Sequence, residues 1–334
     1  MTDITQNTDR LYNNVSDLLK AAQEAVLRTV NTTMVATYFE IGRMIVEEEQ
    51  DGKERAKYGD QLISELSKKL TSEFGKGFSL TNIKQMRSFY ISYSKSQTLS
   101  DQFKLSWSHY LFLMRIDDEN ERNFYEIESI KNNWSLRELK RQFNTALFTR
   151  LALSRDKNQI AKLSKQGLIL EKPKDAIKDP YILEFIGLPD QYSYSESELE
   201  QELIDKLEHF LLELGTGFTF VARQKRITFD EKHFKIDLVF FNRILKCFVL
   251  IDMKIGELQH KDIGQMQMYV NYYDRQIRLQ DENKTIGLIL CQDKSQAVVE
   301  YTLPDNNEQI FASKYQTVLP SKEKLKQLLE KKDD

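Results

Sequence analysis

Apolar residues recur at three- and four-residue spacing from Leu11 to Val46, through Leu18, Leu19, Ala22, Val26, Val30, Met34, Tyr38, Ile41 and Ile45. That period predicts one long helix or two in series. Residues 59–73 repeat it. Phe74-Gly75-Lys76-Gly77-Phe78 then predicts a tight turn, and Ser79 or Thr81 caps a helix over 81–93. Helix, short glycine turn and helix outline a helix-turn-helix unit, whose second helix can lie in the major groove. Lys84, Gln85, Arg87 and Ser88 would then be the contacts, and plain helical packing gives the same outline. Residues 106–115 form an aromatic-rich apolar run. Helices follow at 119–131 and 135–150, the second opened by a Ser135-to-Glu138 capping box. Trp134, Leu136, Leu139, Phe143 and Leu147 make its buried face, which leaves Arg137, Lys140, Arg141 and Arg150 off the stripe.

The pattern changes after residue 152. Prolines at 173, 180 and 189 and a Tyr/Ser run mark a connector over 152–195, with a short docking helix at Asp179–Phe185. A helix at 196–214 precedes strands at 218–228, 234–241 and 246–253. A helix at 261–275, a strand at 284–291, a helix at 293–301, a strand at 308–313 and a terminal helix at 321–331 complete the chain. The fold class is therefore α+β and multidomain. An all-α, helix-turn-helix-like domain (1–155) is followed by a linker (156–178) and a mixed α/β domain (179–334) of order αβββαβ.

Three ionisable residues interrupt the apolar strands of the second domain: Asp237, Asp252 and Lys254. Buried charges are costly unless paired or bound to metal. Strand spacing of two places Asp252 and Lys254 on one side. A hairpin centred between Ile244 and Leu245 sets Asp237 opposite Asp252, with Cβ atoms ~5 Å apart. Carboxylates that close repel unless a cation lies between them. A hard divalent ion accepts both, polarises a phosphoryl oxygen and acidifies a bound water. Lys254 would orient that water or stabilise transition-state charge. The competing reading is a buried ion pair of Lys254 with Asp237 or Asp252, which would add little stability. On the helix before the strands, Glu202, Asp205, Lys206, His209 and Glu213 fall on a solvent stripe, whereas Glu200 lies in line with Leu203, Ile204, Leu207 and Leu211. Glu200 is a candidate third metal carboxylate, or an acid favoured by the helix dipole. On the helix after them, Gln265, Tyr269 and Tyr272 share a face behind Gly264, as candidate contacts to the scissile nucleotide or as packing.

The overall charge of −3 points to no partner, but its distribution does. Residues 131–172 carry a local +7 and residues 221–261 a local +4. Clustered basic segments on an acidic background form a phosphate-binding footprint, or a solvated helix face. Arg137, Lys140, Arg141, Arg223 and Lys225 are the candidate nucleic-acid contacts within them, with Tyr269 beside the site. Cys247 and Cys291 sit in apolar runs without a metal-ligand spacing, which disfavours zinc. The first residues are polar, and no apolar run approaches the ~20 residues of a membrane span. A reducing, cytoplasmic setting without membrane partners is expected.

Ile236-Asp237 and Asp252-Met253-Lys254 resemble the Asp…(Asp/Glu)-X-Lys signature of the PD-(D/E)XK nuclease superfamily, whose core has the same αβββαβ order. The stretches 210–241, 264–274, 38–49, 56–70, 87–90 and 134–142 are similar to the bacterial YhcG-type family of predicted nucleases. The resemblance implies a restriction-endonuclease-like C-terminal domain and a helical DNA- or partner-binding domain before it. It implies a Mg2+- or Mn2+-dependent endonuclease on DNA, in restriction, repair or defence against mobile DNA. Asp237 and Asp252 would bind metal and Lys254 would hold the hydrolytic water, with Glu200 and Gln265 in support. Two positions depart from the pattern: Ile236 replaces the common proline, and Asp252 stands where this family is expected to carry Glu. The alternative is a nuclease-like subunit that binds DNA or assembles a complex without turnover. Pairing of two chains through the long N-terminal helices would suit cleavage of both strands.

Overall fold

The computed structural model describes residues 2–51, 56–94, 103–153, 157–188, 194–229, 231–304 and 306–321, together with 323, 325 and 327. The chain divides into two compact units, Met1–Leu139 and Lys140–Asp334.

The first unit is helical: α1 (Thr2–Asp51), α2 (Ala56–Phe74), α3 (Leu80–Tyr93), α4 (Trp107–Leu113) and α5 (Glu119–Lys131), with the start of α6 (Leu136–Asn144). The period from Leu11 to Val46 is thus one uninterrupted helix. Its C-terminal part packs on α3 through Val35, Phe39 and Ile45, around a cluster that includes Ile63, Ile83 and Met86. Phe39, Phe89, Tyr93, Phe103 and Tyr110 add edge-on and tilted ring contacts 5.0–6.3 Å apart. Gly42 permits the close approach: a Cβ there would lie 2.1 Å from the Met86 carbonyl oxygen. Gly42→Ala is therefore expected to destabilise this unit by about 1–3 kcal/mol in urea denaturation, as overpacking does. Between α2 and α3 a 3-10 turn spans Lys76–Phe78, and the Ser79 hydroxyl caps α3 by accepting from the Asn82 amide. Of the candidate groove contacts on α3, Lys84 pairs with Asp60 at 3.2 Å and Arg87 with Glu49 at 2.6 Å.

The second unit holds a mixed sheet with strand order β1-β6-β5-β4-β3-β2. The strands are β1 (Tyr181–Ile182), β2 (Phe218–Phe229), β3 (Lys232–Asn242), β4 (Cys247–Glu257), β5 (Ile286–Asp293) and β6 (Ile310–Gln316). Its helices are most of α6, α7 (Leu147–Leu153), α8 (Lys157–Gln166), α9 (Glu196–Asp205), α10 (Leu207–Leu214), α11 (His260–Tyr272) and α12 (Gln296–Thr302). β2, β3 and β4 form an antiparallel meander, and β4, β5 and β6 are parallel. On one face Leu199, Leu203, Phe210 and Leu214 of α9 and α10 meet Leu238, Phe240, Val249, Ile251 and Leu288. On the other, Ile263, Met266 and Val270 of α11 meet Val239, Leu250 and Ile289. Gly287 lets α11 sit close on β5, since a Cβ there would be 2.5 Å from Met266 Cγ. Both cysteines are free and buried. No described helix is long and apolar enough to cross a membrane.

Three expected helices are corrected, and with them the placement of Arg150 and Glu213. Asp179–Phe185 is not a helix: Tyr181 and Ile182 add an edge strand parallel to β6, and Glu184–Ile186 is a 3-10 turn. The helix expected at 135–150 breaks at Ala146, whose φ of 50° lies in the left-handed region. The break rotates the phase of α7 and turns Arg150 inward, where it is fully buried and closed to phosphate. The helix expected at 196–214 likewise breaks at Lys206, and Glu213 moves from the expected solvent stripe to full burial. Arg150 and Glu213 meet there, Nη1 to Oε1 at 2.5 Å. The terminal helix expected at 321–331 lies largely outside the described residues; 323, 325 and 327 are helical.

Candidate active site

β3 and β4 pair in register from Asn242↔Cys247 to Leu238↔Ile251, a hairpin centred between Ile244 and Leu245. One step further, Asp237 and Asp252 stand across from each other where the ladder ends. The freed Met253 amide donates to Asp237 Oδ2 at 2.8 Å. Both neighbouring strands change face here. Ile236 packs with the α11-side core and Leu238, two residues on, with the α9-side core. Opposite Asp237, Gln224 of β2 has a φ of 46° and sits between the paired residues Arg223↔Leu238 and Lys225↔Ile236. A strand alternates faces regularly, so such a switch needs an irregular residue. It leaves Asp237 pointing out of the ladder at the sheet's open end.

Around these aspartates the elements converge. Lys254 Nζ lies 2.9 Å from Asp252 Oδ2 and 3.4 Å from Glu196 Oε2 at the start of α9. Glu196 Oε1 also accepts from the Ile255 amide at 3.3 Å. Gln224 Nε2 donates to Glu200 Oε2 and stands 3.4 Å from Asp237 Oδ1. From α11, Gln265 donates to the Tyr269 hydroxyl, which donates to the Lys235 carbonyl at 2.8 Å. Glu196, Asp237 and Asp252 thus face Lys254, while Glu200, held by Gln224, lies near Arg223 and Lys235.

Burial, and after it the facing charges, sets the protonation behaviour. Burial, then the nearby Asp237 charge, pushes the Asp252 carboxyl above its ordinary range, against the pull of Lys254. Burial also raises Asp237, although the Met253 amide and Lys254 resist. Glu200 is raised by burial, partly offset by Gln224. Burial alone would lower the Lys254 ammonium, but Asp252, Glu196 and Asp237 outweigh it and the net shift is upward. Tyr269 is pushed up to about 12 by burial and stays a neutral phenol.

This donor set fits a hard cation in two respects. Asp252 is only 2 % exposed, and beyond the Lys254 ammonium 2.9 Å away its buried Oδ2 has no partner. The carboxylates are oxygen ligands with excess negative charge. Asp237 and Asp252 are the residues that would hold the ion. Glu200 is less ready: among the described residues no three acidic, His or Cys side chains converge as a ligand set, and the Gln224 amide already holds Glu200.

The other candidates distribute as follows. Arg223 is exposed and donates to Gln201 Oε1 at 2.9 Å, and Lys225 is exposed beside it on the edge strand. Arg137 and Lys140 are exposed. Arg141 is turned inward, 3.4 Å from Glu184 and 3.6 Å from Glu213. Tyr269 is fully buried and braces β3 beside Asp237 rather than facing substrate. Along the outer side of α11 runs a groove of about 460 Å3, lined by Phe229, Gly264, Met268, Asn271, Tyr272 and Arg275 among others. Sequence reasoning missed Gln224 and Glu196. No apolar period marks the first, because the register shift between Phe220 and Ala222 and the left-handed Gln224 cancel, leaving Phe218 and Phe220 on the α9 side and Ile227 and Phe229 on the α11 side as regular alternation would. Nothing marked Glu196 apart from other acids in a helix's first turn.

Residues 174–330 match the model of the YhcG PDDEXK nuclease domain, and residues 14–150 that of the DUF1016 N-terminal domain. The protein named "Putative nuclease YhcG" of Escherichia coli (strain K12) is 38% identical over 359 aligned residues, covering 97% of this chain and 95% of the relative. Among solved structures, a repair endonuclease from Pyrococcus abyssi aligns with 40% of this chain and 50% of its own, at 14% identity and a TM-score of 0.27. The apo form of EndoMS aligns with 39% and 49%, at 16% identity and a TM-score of 0.25. Likenesses that slight carry no argument here.

Proposed function

Because the chain belongs to the YhcG family of PDDEXK nucleases, we propose that it is an endonuclease that hydrolyses DNA phosphodiester bonds with a divalent metal, Mg2+ or Mn2+. The observation that carries this reading is the pair Asp237 and Asp252, opposed at the end of a split ladder with Lys254 2.9 Å from the second. An ion held by these aspartates would supply positive charge to the phosphoryl oxygens and would acidify a water. Lys254 donates to the attacking oxygen and offsets negative charge developing on the phosphoryl oxygens. Its raised pKa keeps it cationic at neutral pH, so it serves as an orienting and electrostatic group rather than a base. Glu196 fixes the far side of that ammonium at 3.4 Å, and Gln224 holds Glu200 beside Asp237. Gln265 acts through Tyr269 to position β3. Exposed Arg223 and Lys225, with Arg137 and Lys140 elsewhere on the chain, supply phosphate contacts. The α11 groove offers an aromatic wall and Arg275 to a nucleotide beside the scissile bond.

The test is cleavage of plasmid, linear, single-stranded and branched DNA with Mg2+ or Mn2+. The wild type is expected to cut at least one form. Lys254→Ala is expected to lower kcat by about 100-fold or more, with DNA binding retained. Wild-type protein inert on every form would contradict the reading. A binding subunit without turnover is the second reading. The observation favouring it is the Gln224 amide standing where a third ligand to the ion would come. Salt-sensitive DNA binding with neither metal binding nor cleavage would support it.

A further inference from the structure

We propose that the chain pairs with a second copy of itself through residues 11–34 of α1. This helix runs 50 residues, about 75 Å at 1.5 Å per residue. Among its described side chains, the first buried hydrophobic one is Val35. Among the described side chains between Leu11 and Met34, none is buried. Yet the apolar content there is high: Leu11 is 63% exposed, Leu18 70%, Leu19 59% and Val26 63%. Tyr12, Val15, Val30 and Met34 are exposed with them.

The positions form one face. Tyr12, Val15, Leu19, Ala22 and Val26 follow a three-four-three-four spacing, and Leu11 and Leu18, seven apart, flank them. Asn13, Asp17 and Lys20 fall on the opposite side of the helix, where Lys20 Nζ reaches Asp17 Oδ1 at 3.8 Å. Helices in proteins owe most of their stability to packing an amphipathic face, and a contiguous exposed apolar patch marks an interaction surface.

Three features select a second copy as the occupant. First, size: a buried apolar side chain removes roughly 60–120 Å2 from water, so the eight named supply roughly 500–1,000 Å2, against about 800 Å2 per partner in a standard interface. Second, charge: residues 11–34 hold Asp17, Lys20, Glu24 and Arg28, which balance, so two copies do not repel. A helix built for a membrane surface is instead rich in Lys and Arg. Third, shape: a straight heptad-spaced stripe is complementary to another like itself, which is what an isologous two-fold contact requires. This pairing does not depend on the catalytic reading.

Sedimentation equilibrium of the full chain at micromolar concentration tests it. Wild type is expected at about twice the chain mass of 39.4 kDa. A variant carrying Leu18→Glu, Leu19→Glu and Val26→Glu is expected at the single-chain mass, with the near-ultraviolet circular dichroism of the wild type. Asn13→Glu, on the polar side, is expected to remain paired. A wild type of single-chain mass would overturn the proposal, whether it is free, bound to anionic phospholipid vesicles or held by a different protein. So would a triple variant that stays paired.

Discussion

Asp252→Asn is expected to make the metal-free protein more stable and to slow hydrolysis by about 100-fold or more. In the wild type Asp252 is 2 % exposed and faces Asp237, and burial with that like charge holds its carboxyl above the ordinary range. A carboxyl raised in the folded state contributes least when ionised. Wild-type stability should fall as pH rises from the ordinary carboxylate range through the raised folded value. The Asn variant lacks this decline, so its advantage grows toward neutral pH. There the gain should be on the order of 1–3 kcal/mol, readable as a higher Tm. Lys254 is not stranded by the change, because Glu196 remains 3.4 Å away. Adding Mn2+ should raise the wild-type Tm and leave the variant's nearly unchanged. Equal pH dependence in both proteins would show that this pair carries no stored repulsion.

Removing either member of the Arg150–Glu213 pair should have the opposite sign. Both side chains are 0 % exposed. Arg150 Nε donates to the Thr145 carbonyl at 2.8 Å and Nη1 to the Pro180 carbonyl at 3.1 Å, while Glu213 Oε1 accepts from the Ile182 amide at 3.1 Å. The pair thus ties α7, the strand β1 and α10 into one network. Burial would raise Glu213, but Arg150, Lys178 and Arg141 outweigh it and its carboxyl is held low. A depressed carboxyl stabilises above the unfolded pKa and loses that contribution as pH falls through the folded value. Glu213→Ala should cost about 3–5 kcal/mol at neutral pH in urea denaturation, since it removes the acid that Arg150, Lys178 and Arg141 all face, and Arg150→Met should cost less, since Arg141 stays 3.6 Å from Glu213. The double variant Arg150→Met, Glu213→Leu should recover much of the loss. Additive losses in the double variant would rule out the pairing as their source.

These two charge clusters differ in how far the sequence exposes them. Asp237, Asp252 and Lys254 interrupt apolar strands, and hairpin symmetry about Ile244 and Leu245 alone sets the two aspartates opposite each other. The order of the strands and helices in the second unit is legible for the same reason, because periods of two and of 3.6 differ sharply. Arg150 and Glu213 are not legible. Each lies beyond a helix break, at Ala146 and at Lys206, and a break rotates every downstream side chain off the extrapolated face. Neither break coincides with glycine or proline, so the periodicity runs past it. The short strand at Tyr181–Ile182 is hidden for another reason: two residues show no period, and only the edge of β6 makes them a strand. Gln224 holds Glu200 from a left-handed turn in the middle of a strand, a backbone choice that tertiary pairing imposes.

In the proposed mechanism Asp237 and Asp252 hold a metal that hydrolysis requires. It is tested most directly by following cleavage of one DNA substrate across a Mn2+ titration, with the wild type and Asp252→Asn side by side. Wild-type cleavage should rise with Mn2+, stop on chelation and return when the ion is restored. The variant should be slower by about 100-fold or more at every concentration while still melting higher than the metal-free wild type. Cleavage that ignores the chelator, or an Asn variant that cuts at the wild-type rate, would contradict it.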